Sequence, residues 1–340
     1  MIPWRYSFLA SLLILGISLS AQNIPLKSVV EQSGCELRWN PYRERGLLYS
    51  PTTTISFKLG TPLLILDNYK IINGVEFKRV GGDIFLNQSS ATTLYRLLGN
   101  SNYMATNKNE SSIFNIPVII IDPGHGGKDS GALGNLSFGQ IMEKDIVLDI
   151  SKYVVNNLRD RYPEKKILLT RDEDIFLTLE ERVDIANSVS LNPNEAIIYI
   201  SIHANASLNK KAQGFEVWYL PEGYRRDVLN SKIGDSQKLT TIVNAIKEDE
   251  ISLEGKRLAG SILDSIAIEI GDKSSNRGLK EEIWFVVRKA RMASVLIEVG
   301  FITNEKEGSR LNTPMYLKNI GDGIYNGISN FVTSYESVGR

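Results

Sequence analysis

Hydrophobic residues in the C-terminal part of the chain occur in short continuous runs of strand length. These runs cover residues 117–121, 166–170, 196–202, 214–220 and 294–300. Between them apolar positions recur every three or four residues, which predicts helices over 140–159, 178–187, 255–270 and 311–332. Buried strands that alternate with helices are typical of a parallel sheet covered on both faces. The pattern predicts an α/β fold with a twisted, mostly parallel sheet flanked by helices.

The N-terminal region has a shorter, alternating pattern that is typical of antiparallel strands. Alternation over residues 55–59, 63–66, 69–72 and 75–78 predicts a small, mostly β domain over 22–98. The pair Asn73-Gly74 lies between the last two runs and predicts a hairpin there. In pattern the region is similar to the N-terminal domain of copper amine oxidases. It contains no cluster of acids, histidines or cysteines, so cell-wall binding, partner docking and simple spacing stay open.

The polar, turn-rich residues 99–114 predict a linker, and a catalytic domain is therefore expected over 115–338. At the other end, residues 1–21 combine Arg5, an apolar core over 8–17 and small residues up to Ala21. This layout predicts a secretory signal peptide, with a retained anchor as the alternative. Cys35 is the only cysteine, so it forms no internal disulfide, and we expect a half-buried structural thiol.

Charge gives little information about the partner. The 39 basic and 39 acidic residues of the 340-residue chain balance to a formal net charge of zero. Such a chain has no overall field for nucleic acid or an anionic membrane. Affinity for a polymer would therefore come from a shaped groove.

The two histidines of the chain occupy equivalent places. His125 lies in a glycine-rich turn directly after the run 117–121, and His203 follows the run 196–202. Ligands of open α/β sheets gather at the carboxyl ends of strands, and neutral imidazole is a common zinc ligand. A catalytic zinc takes three protein ligands, so an acid is expected as well. Glu298 is an acid inside an apolar run, which is costly unless the group is paired in a salt bridge or functional.

Seven segments in series resemble those of the zinc-dependent N-acetylmuramoyl-L-alanine amidases of type 3. They are Asp122-Pro-Gly-His-Gly-Gly127, Glu143-Lys-Asp145, Leu169-Thr-Arg171, Arg182 with Ala186-Asn187, Ser201-Ile-His-Ala-Asn205, Asn276-Arg-Gly278 and Glu298-Val-Gly-Phe-Ile-Thr-Asn304. The resemblance extends over about residues 115–335. It implies a single Zn²⁺ bound by His125, Glu143 and His203, with Glu298 as the general base. On its own, Glu143 would be an ordinary acid at a helix N-terminus.

The resemblance also implies a substrate and further site residues. The bond is the amide between the lactyl group of N-acetylmuramic acid and L-alanine of the peptidoglycan stem peptide. Arg171 and Arg182 either bind a substrate carboxylate or orient a helix against the sheet, and Asn205 either meets the substrate or ties its loop. The enzyme would act in the periplasm, in cell-wall remodelling or daughter-cell separation.

Residues 221–254 form a charged insert with a helical patch over 239–246. By analogy with some amidases, part of it is expected to cover the zinc until a protein activator moves it. Glu248, Asp249 and Glu250 are the candidate zinc-capping acids. The alternative is a solvated helix with no regulatory role.

Two other functions compete with the amidase. One is a different zinc hydrolase on a related scaffold, such as a peptidase acting within the stem peptide. The other is a cell-wall binder without activity, against which the intact set of two histidines and two acids argues.

Overall fold

The computed structural model describes residues 23–41, 44–50, 53–67, 70–99, 115–191, 195–221, 223–224, 226–229 and 237–337. The predicted signal peptide and residues 100–114 of the predicted linker lie outside these ranges. Within them, no helix is both long enough and apolar enough to span a membrane. The predicted division into domains stays a prediction.

The first part of the described chain forms two small antiparallel sheets and two helices. One sheet has the order β2-β3-β4-β5-β6 and the other β1-β8-β7, with the elements β1 (Ile24–Pro25), α1 (Leu26–Ser33), β2 (Glu36–Asn40), β3 (Arg45–Ser50), β4 (Thr53–Lys58), β5 (Leu63–Leu66), β6 (Lys70–Asn73), β7 (Phe77–Val80), β8 (Asp83–Leu86) and α2 (Gln88–Gly99). Cys35 is buried beside this core, and burial raises the pKa of its thiol, which keeps it unreactive.

The predicted hairpin at Asn73-Gly74 is wrong. Strand β6 pairs with β5, and β7 pairs with β8, so Gly74 carries the chain from one sheet to the other. The two-residue turn lies instead at Gly81-Gly82, where both residues have positive φ angles of 62° and 103°. Positive φ at both central residues is what such a turn requires.

The second part of the described chain forms a six-stranded sheet with helices on both faces. The strands have the order β12-β9-β13-β16-β14-β15, and the elements are β9 (Asn115–Pro123), β10 (Leu133–Leu136), β11 (Gly139–Met142), α3 (Glu143–Arg161), β12 (Lys166–Leu169), α4 (Leu179–Asn187), β13 (Glu195–Asn205), β14 (Phe215–Tyr219), α5 (Gln237–Ile270), β15 (Asn276–Glu281), α6 (Phe285–Lys289), β16 (Ala293–Phe301), α7 (Glu305–Leu311) and α8 (Pro314–Ser337). The first four strands in the order are parallel, and β14 runs antiparallel to β16. The predicted mostly parallel sheet is confirmed.

The continuous apolar runs follow from burial of both sheet faces. Ile119 and Ile121 of β9 face a core shared with α3, α5 and α8, whereas Val118 and Ile120 face a second core under α4 and α6. Tyr199 and Leu296 point to this second face. Because side chains alternate along a strand, the residues two or four positions further on, at the carboxyl ends, share the α4–α6 face.

Three helix boundaries differ from the prediction. Helix α3 begins at Glu143, because residues 139–142 pair with 133–136 in a hairpin. The helix predicted over 255–270 is continuous with the patch at 239–246, and together they form the 34-residue α5. The last helix, predicted over 311–332, begins instead at Pro314 and continues to Ser337 as α8, because the separate short helix α7 ends at Leu311. The first helical position suits proline.

The first half of α5 packs against the N-terminal sheet. Ile65 of β5 contacts Val243 and Ile246 of α5 in one small buried cluster. Close by, Tyr49 and Ile198 line a shared cavity of about 330 Å³ that also touches the first residues of β9, β13 and β16. The five-stranded N-terminal sheet therefore lies beside the amino-terminal ends of strands β9, β13 and β16.

Candidate metal centre

Three predicted ligands meet at the carboxyl ends of β9 and β13. One ligand atom from each of His125, Glu143 and His203 lies within 4.8 Å of the others. His125 Nε2 is 3.1 Å from one Glu143 carboxylate oxygen, and His203 Nδ1 is 3.0 Å from the other. The two imidazole rings are 5.0 Å apart between centroids. Two imidazole nitrogens and one carboxylate form a donor set that a metal ion such as zinc accepts.

Two glycines make this approach possible. A Cβ atom on Gly124 would lie 2.2 Å from His203 Cε1, and one on Gly131 would lie 2.6 Å from Glu143 Oε2. His125 itself has a φ of 59°, a left-handed conformation that is uncommon outside glycine. Such backbone persists only where the surrounding structure fixes it. The glycine-rich turn therefore turns the imidazole toward the other two ligands.

Asp129 was not predicted as a site residue. Its Oδ2 lies 2.9 Å from His125 Nδ1, on the side of the ring away from Glu143. A carboxylate on the second nitrogen of a metal-binding histidine fixes its tautomer and its orientation. The sequence feature that could have identified Asp129 is its position four residues after His125 in the same glycine-rich turn.

Glu143 is buried and ionised. Its Oε1 accepts a hydrogen bond from the Ala204 backbone amide at 2.9 Å, and its Oε2 accepts one from Ala132 at 2.8 Å. Burial acts to raise the pKa of Glu143, but the hydrogen bonds from His125 and His203 outweigh it and lower the pKa below its usual range. Glu143 is thus far more enclosed than an ordinary acid at a helix N-terminus.

Glu298 lies on β16 beside this group. It is the register partner of His203 on the neighbouring parallel strand, and it lines the same cleft. Burial raises the pKa of Glu298 well above its usual range, and the Glu143 and Glu216 carboxylates raise it further. Its Oε2 atom is buried and has no hydrogen-bond partner among the described residues. A buried carboxylate oxygen without a partner is costly, and its place beside the three converging ligands makes Glu298 a candidate for the reaction.

Arg171 and Arg182 support the turn that carries His125. Their residues are 2% and 3% exposed. Arg171 donates to the backbone carbonyls of Pro123 and Gly124, and Arg182 donates to those of Pro123 and His125. All three guanidinium nitrogens of each side chain already donate to protein oxygens. These contacts favour the structural alternative over binding of a substrate carboxylate.

Asp122 holds Arg182 in place through a buried ion pair. It is fully buried and forms an ion pair of 2.7 Å with Arg182. It also accepts hydrogen bonds from the hydroxyl groups of Thr170, Tyr199 and Ser201. Arg182 acts to lower the pKa of Asp122, and with these hydrogen bonds it outweighs the larger, opposing effect of burial.

Asn205 ties its loop and also lines the cleft. Its Nδ2 donates to Glu216 Oε1 at 2.7 Å, and Arg277 Nε donates to the other Glu216 oxygen at 2.7 Å. The cleft has a volume of about 550 Å³, in the range of small-ligand sites. Both alternatives for Asn205 therefore remain compatible with its position.

The family model described as N-acetylmuramoyl-L-alanine amidase matches residues 119–330, which contain every residue of this site. The chain belongs to the N-acetylmuramoyl-L-alanine amidase family. The resemblance found in the sequence is therefore confirmed, and the family is one of hydrolases that cleave an amide of peptidoglycan.

Named relatives agree with this family assignment. The chain is 32% identical over 209 residues to N-acetylmuramoyl-L-alanine amidase LytC of Bacillus subtilis, covering 62% of this chain and 34% of LytC. It is 31% identical over 231 residues to the amidase AmiA of Escherichia coli, covering 63% of this chain and 75% of AmiA. The catalytic domain of the amidase CwlV from Paenibacillus polymyxa has the same fold, with a TM-score of 0.50 and 28% identity over 64% of this chain and 99% of that domain.

In this member of the amidase family, the predicted capping acids are not at the metal centre. The buried Glu248 accepts a hydrogen bond from Ser252 within α5 at 2.7 Å. Asp249 pairs with Arg45 of β3, and Glu250 accepts a hydrogen bond from Ser56 of β4. No described residue of 221–254 lines the metal cleft.

The prediction of a zinc-capping role for Glu248, Asp249 and Glu250 is therefore wrong in this structure. The reason is that the insert helix continues into α5 and uses its apolar and acidic residues against the N-terminal sheet. An activator that uncovers the cleft by moving these acids has no support from the described residues.

Proposed function

We propose that the chain is a zinc-dependent amidase that cleaves the amide between the lactyl group of N-acetylmuramic acid and L-alanine of the stem peptide. The observation that carries the proposal is the convergence of His125, Glu143 and His203 within 4.8 Å. Membership of the amidase family identifies the bond that is cleaved, and the cleft beside these residues has room for the substrate around that bond.

The donor set fits zinc. Two neutral imidazoles and one carboxylate would leave a divalent ion with a net charge of +1, so it would remain a strong Lewis acid. Gly124 and Gly131 leave room for the ligands to approach, and Glu298 lines the same cleft. Zinc held by His125, Glu143 and His203 would polarise the amide carbonyl and lower the pKa of water to about 7.

The protein groups around this centre divide the remaining tasks. Glu298 accepts a proton from the attacking water and donates it to the nitrogen of the leaving L-alanine. A single carboxylate serves both steps, because it holds the proton between them. Asp129 fixes the His125 ring, and Arg182 fixes the carbonyl of the turn beneath it.

Digestion of purified sacculi tests the proposal. We expect the release of complete stem peptides with a free L-alanine amine, leaving glycan strands whose lactyl groups are free carboxylates. Mass spectrometry of both fractions distinguishes the alternatives. Shortened stem peptides would indicate a peptidase, and binding without release would indicate a non-enzymatic cell-wall protein.

We further infer that the chain is exported and acts in the periplasm, in cell-wall remodelling or daughter-cell separation. The support is the signal-like pattern of residues 1–21. Cell fractionation with N-terminal sequencing should find a processed protein that begins near residue 22. A full-length chain in the cytoplasmic fraction would contradict this inference.

A further inference from the structure

The metal cleft has an apolar part that the hydrolytic chemistry does not use. The loops that lead into α4 and α6 and the first turns of these two helices line it with the side chains Phe176, Leu177, Leu179, Trp284, Phe285 and Val286. Leu296 forms part of the same lining and lies on β16 two residues before Glu298. Two residues along a strand span about 7 Å, so the apolar part begins directly beside the proposed reacting centre.

The charges that line the cleft disfavour an acidic ligand. Carboxylates from four residues line it, namely Asp122, Asp129, Glu143 and Glu298. The one guanidinium among the described lining residues belongs to Arg182, whose three nitrogens all donate to protein oxygens. A carboxylate placed in the apolar part of the cleft, away from the three metal ligands, would be desolvated without a cationic side chain to pair with, which is costly. Stem peptides carry carboxylates, whereas the glycan strand beside the cleaved amide is uncharged and its pyranose rings have apolar C–H faces.

Trp284 presents a flat apolar surface in this part of the cleft. Its residue is 42% exposed, and it directly precedes α6. Its ring is supported edge-on by Trp218 of β14, with centroids 5.9 Å apart and an interplanar angle of 84°. Phe176 and Phe285 are the other partly exposed aromatic residues of the lining, and each ring already has a cation beside it. Lys128 Nζ lies 4.4 Å from the centre of the Phe176 ring, and Arg288 Cζ lies 5.3 Å from the centre of the Phe285 ring. Trp284 therefore combines exposure with a supported orientation.

We propose that Trp284 is a specificity-determining residue whose indole ring stacks on a sugar ring of the glycan strand, so that the stem peptide leaves the reacting centre in another direction. This inference rests on the proposed amidase function. Stacking buries the C–H face of the sugar on the largest aromatic side chain and uses no charge. The apolar part of the cleft is then the glycan side of the site.

Binding of the two reaction products tests the assignment, because neither product can be cleaved further. Peptide-free glycan oligosaccharides, with their lactyl carboxyl groups reduced to alcohols so that the strand is uncharged as in the substrate, and free stem tetrapeptides are titrated separately into the zinc-loaded full chain by calorimetry. We expect Trp284→Ala to weaken glycan binding about tenfold and to leave peptide binding within about twofold of wild type. Weaker peptide binding with unchanged glycan binding, or no change in either, would overturn the proposal.

Matched variants separate stacking from a folding defect. Phe138 is an aromatic residue of similar exposure, at 49%, that does not line the cleft, so Phe138→Ala should bind both products normally. Trp284→Phe keeps a flat ring and should recover most of the glycan affinity. Trp284→Leu keeps an apolar side chain against Trp218 without a flat ring, and it tests the same expectation if the alanine variant folds poorly.

The outcome for this inference is distinct from that for the proposed function. A wild-type chain that releases stem peptides from sacculi, combined with normal glycan binding by Trp284→Ala, rejects only the role of Trp284. A wild-type chain that releases nothing from sacculi and binds neither product rejects the amidase proposal itself.

Discussion

The variant Glu298→Gln is expected to lose about 10²- to 10⁴-fold in the rate of stem-peptide release, the usual contribution of a positioned general acid–base group. Glutamine has nearly the same shape as glutamate but cannot accept the proton of the attacking water. Glu298 is not one of the three residues whose ligand atoms converge, so the variant should still bind zinc at the wild-type stoichiometry. Release rates from sacculi and zinc analysis by mass spectrometry measure the two quantities separately.

An exposed acid provides the control for Glu298→Gln. Glu180 lies on the surface of α4, and Glu180→Gln should keep the wild-type rate. Nearly normal turnover in Glu298→Gln would place the base at another residue. Loss of zinc together with turnover would instead make Glu298 a ligand.

Asp122→Ala is expected to reduce the free energy of unfolding by about 3–5 kcal/mol, because it leaves the buried Arg182 without its anion. Arg182 and three hydroxyl groups donate to Asp122, and the same guanidinium holds the carbonyls of the His125 turn. The variant should therefore also lose activity under conditions where it remains folded. Urea denaturation at neutral pH measures the stability change.

The pH dependence of the stability loss in Asp122→Ala provides a second test of the role of Asp122. The pKa of Asp122 is lower in the folded chain than its ordinary value, so the group contributes stability above its unfolded pKa, and this contribution disappears as the pH falls through the folded pKa. The gap between wild type and Asp122→Ala should therefore narrow in acid. Asp149→Ala removes an exposed acid of α3 and should change stability by no more than about 0.5 kcal/mol. A similarly small change in Asp122→Ala would contradict the anchoring role.

The two histidines could be assigned to one site from the sequence because their strands are parallel neighbours. Residues after two such strands emerge at the same sheet edge, and β9 and β13 are adjacent there. The prediction of Glu143 as a ligand depended on the family resemblance, because an acid in the first turn of a helix is common and by itself does not indicate a metal site. Its burial depends on a hairpin, over 133–142, that the hydrophobic pattern did not reveal. Asp129 was missed because its partner is set by the left-handed conformation of His125.

The insert shows the limit of local pattern and analogy. Its sequence correctly indicates a helix over 239–246, and the structure places it within α5. What the helix packs against depends on contacts about 200 residues away in sequence, such as that between Arg45 and Asp249. Helical periodicity specifies which residues share a face but not which surface will meet that face. The prediction of a hairpin at Asn73-Gly74 was wrong for a related reason, because the flanking strands β6 and β7 pair with β5 and β8 instead of with each other.

The position of the N-terminal sheet beside the amino-terminal ends of β9, β13 and β16 affects which edge of the molecule is accessible. Along β13, Glu195, at the end near that sheet, is eight positions before His203, and this separation spans about 26 Å. An insoluble, net-like polymer can therefore be reached by the opposite edge of the molecule without steric interference from the N-terminal sheet. A small tag attached to that sheet is therefore expected to leave the metal cleft accessible.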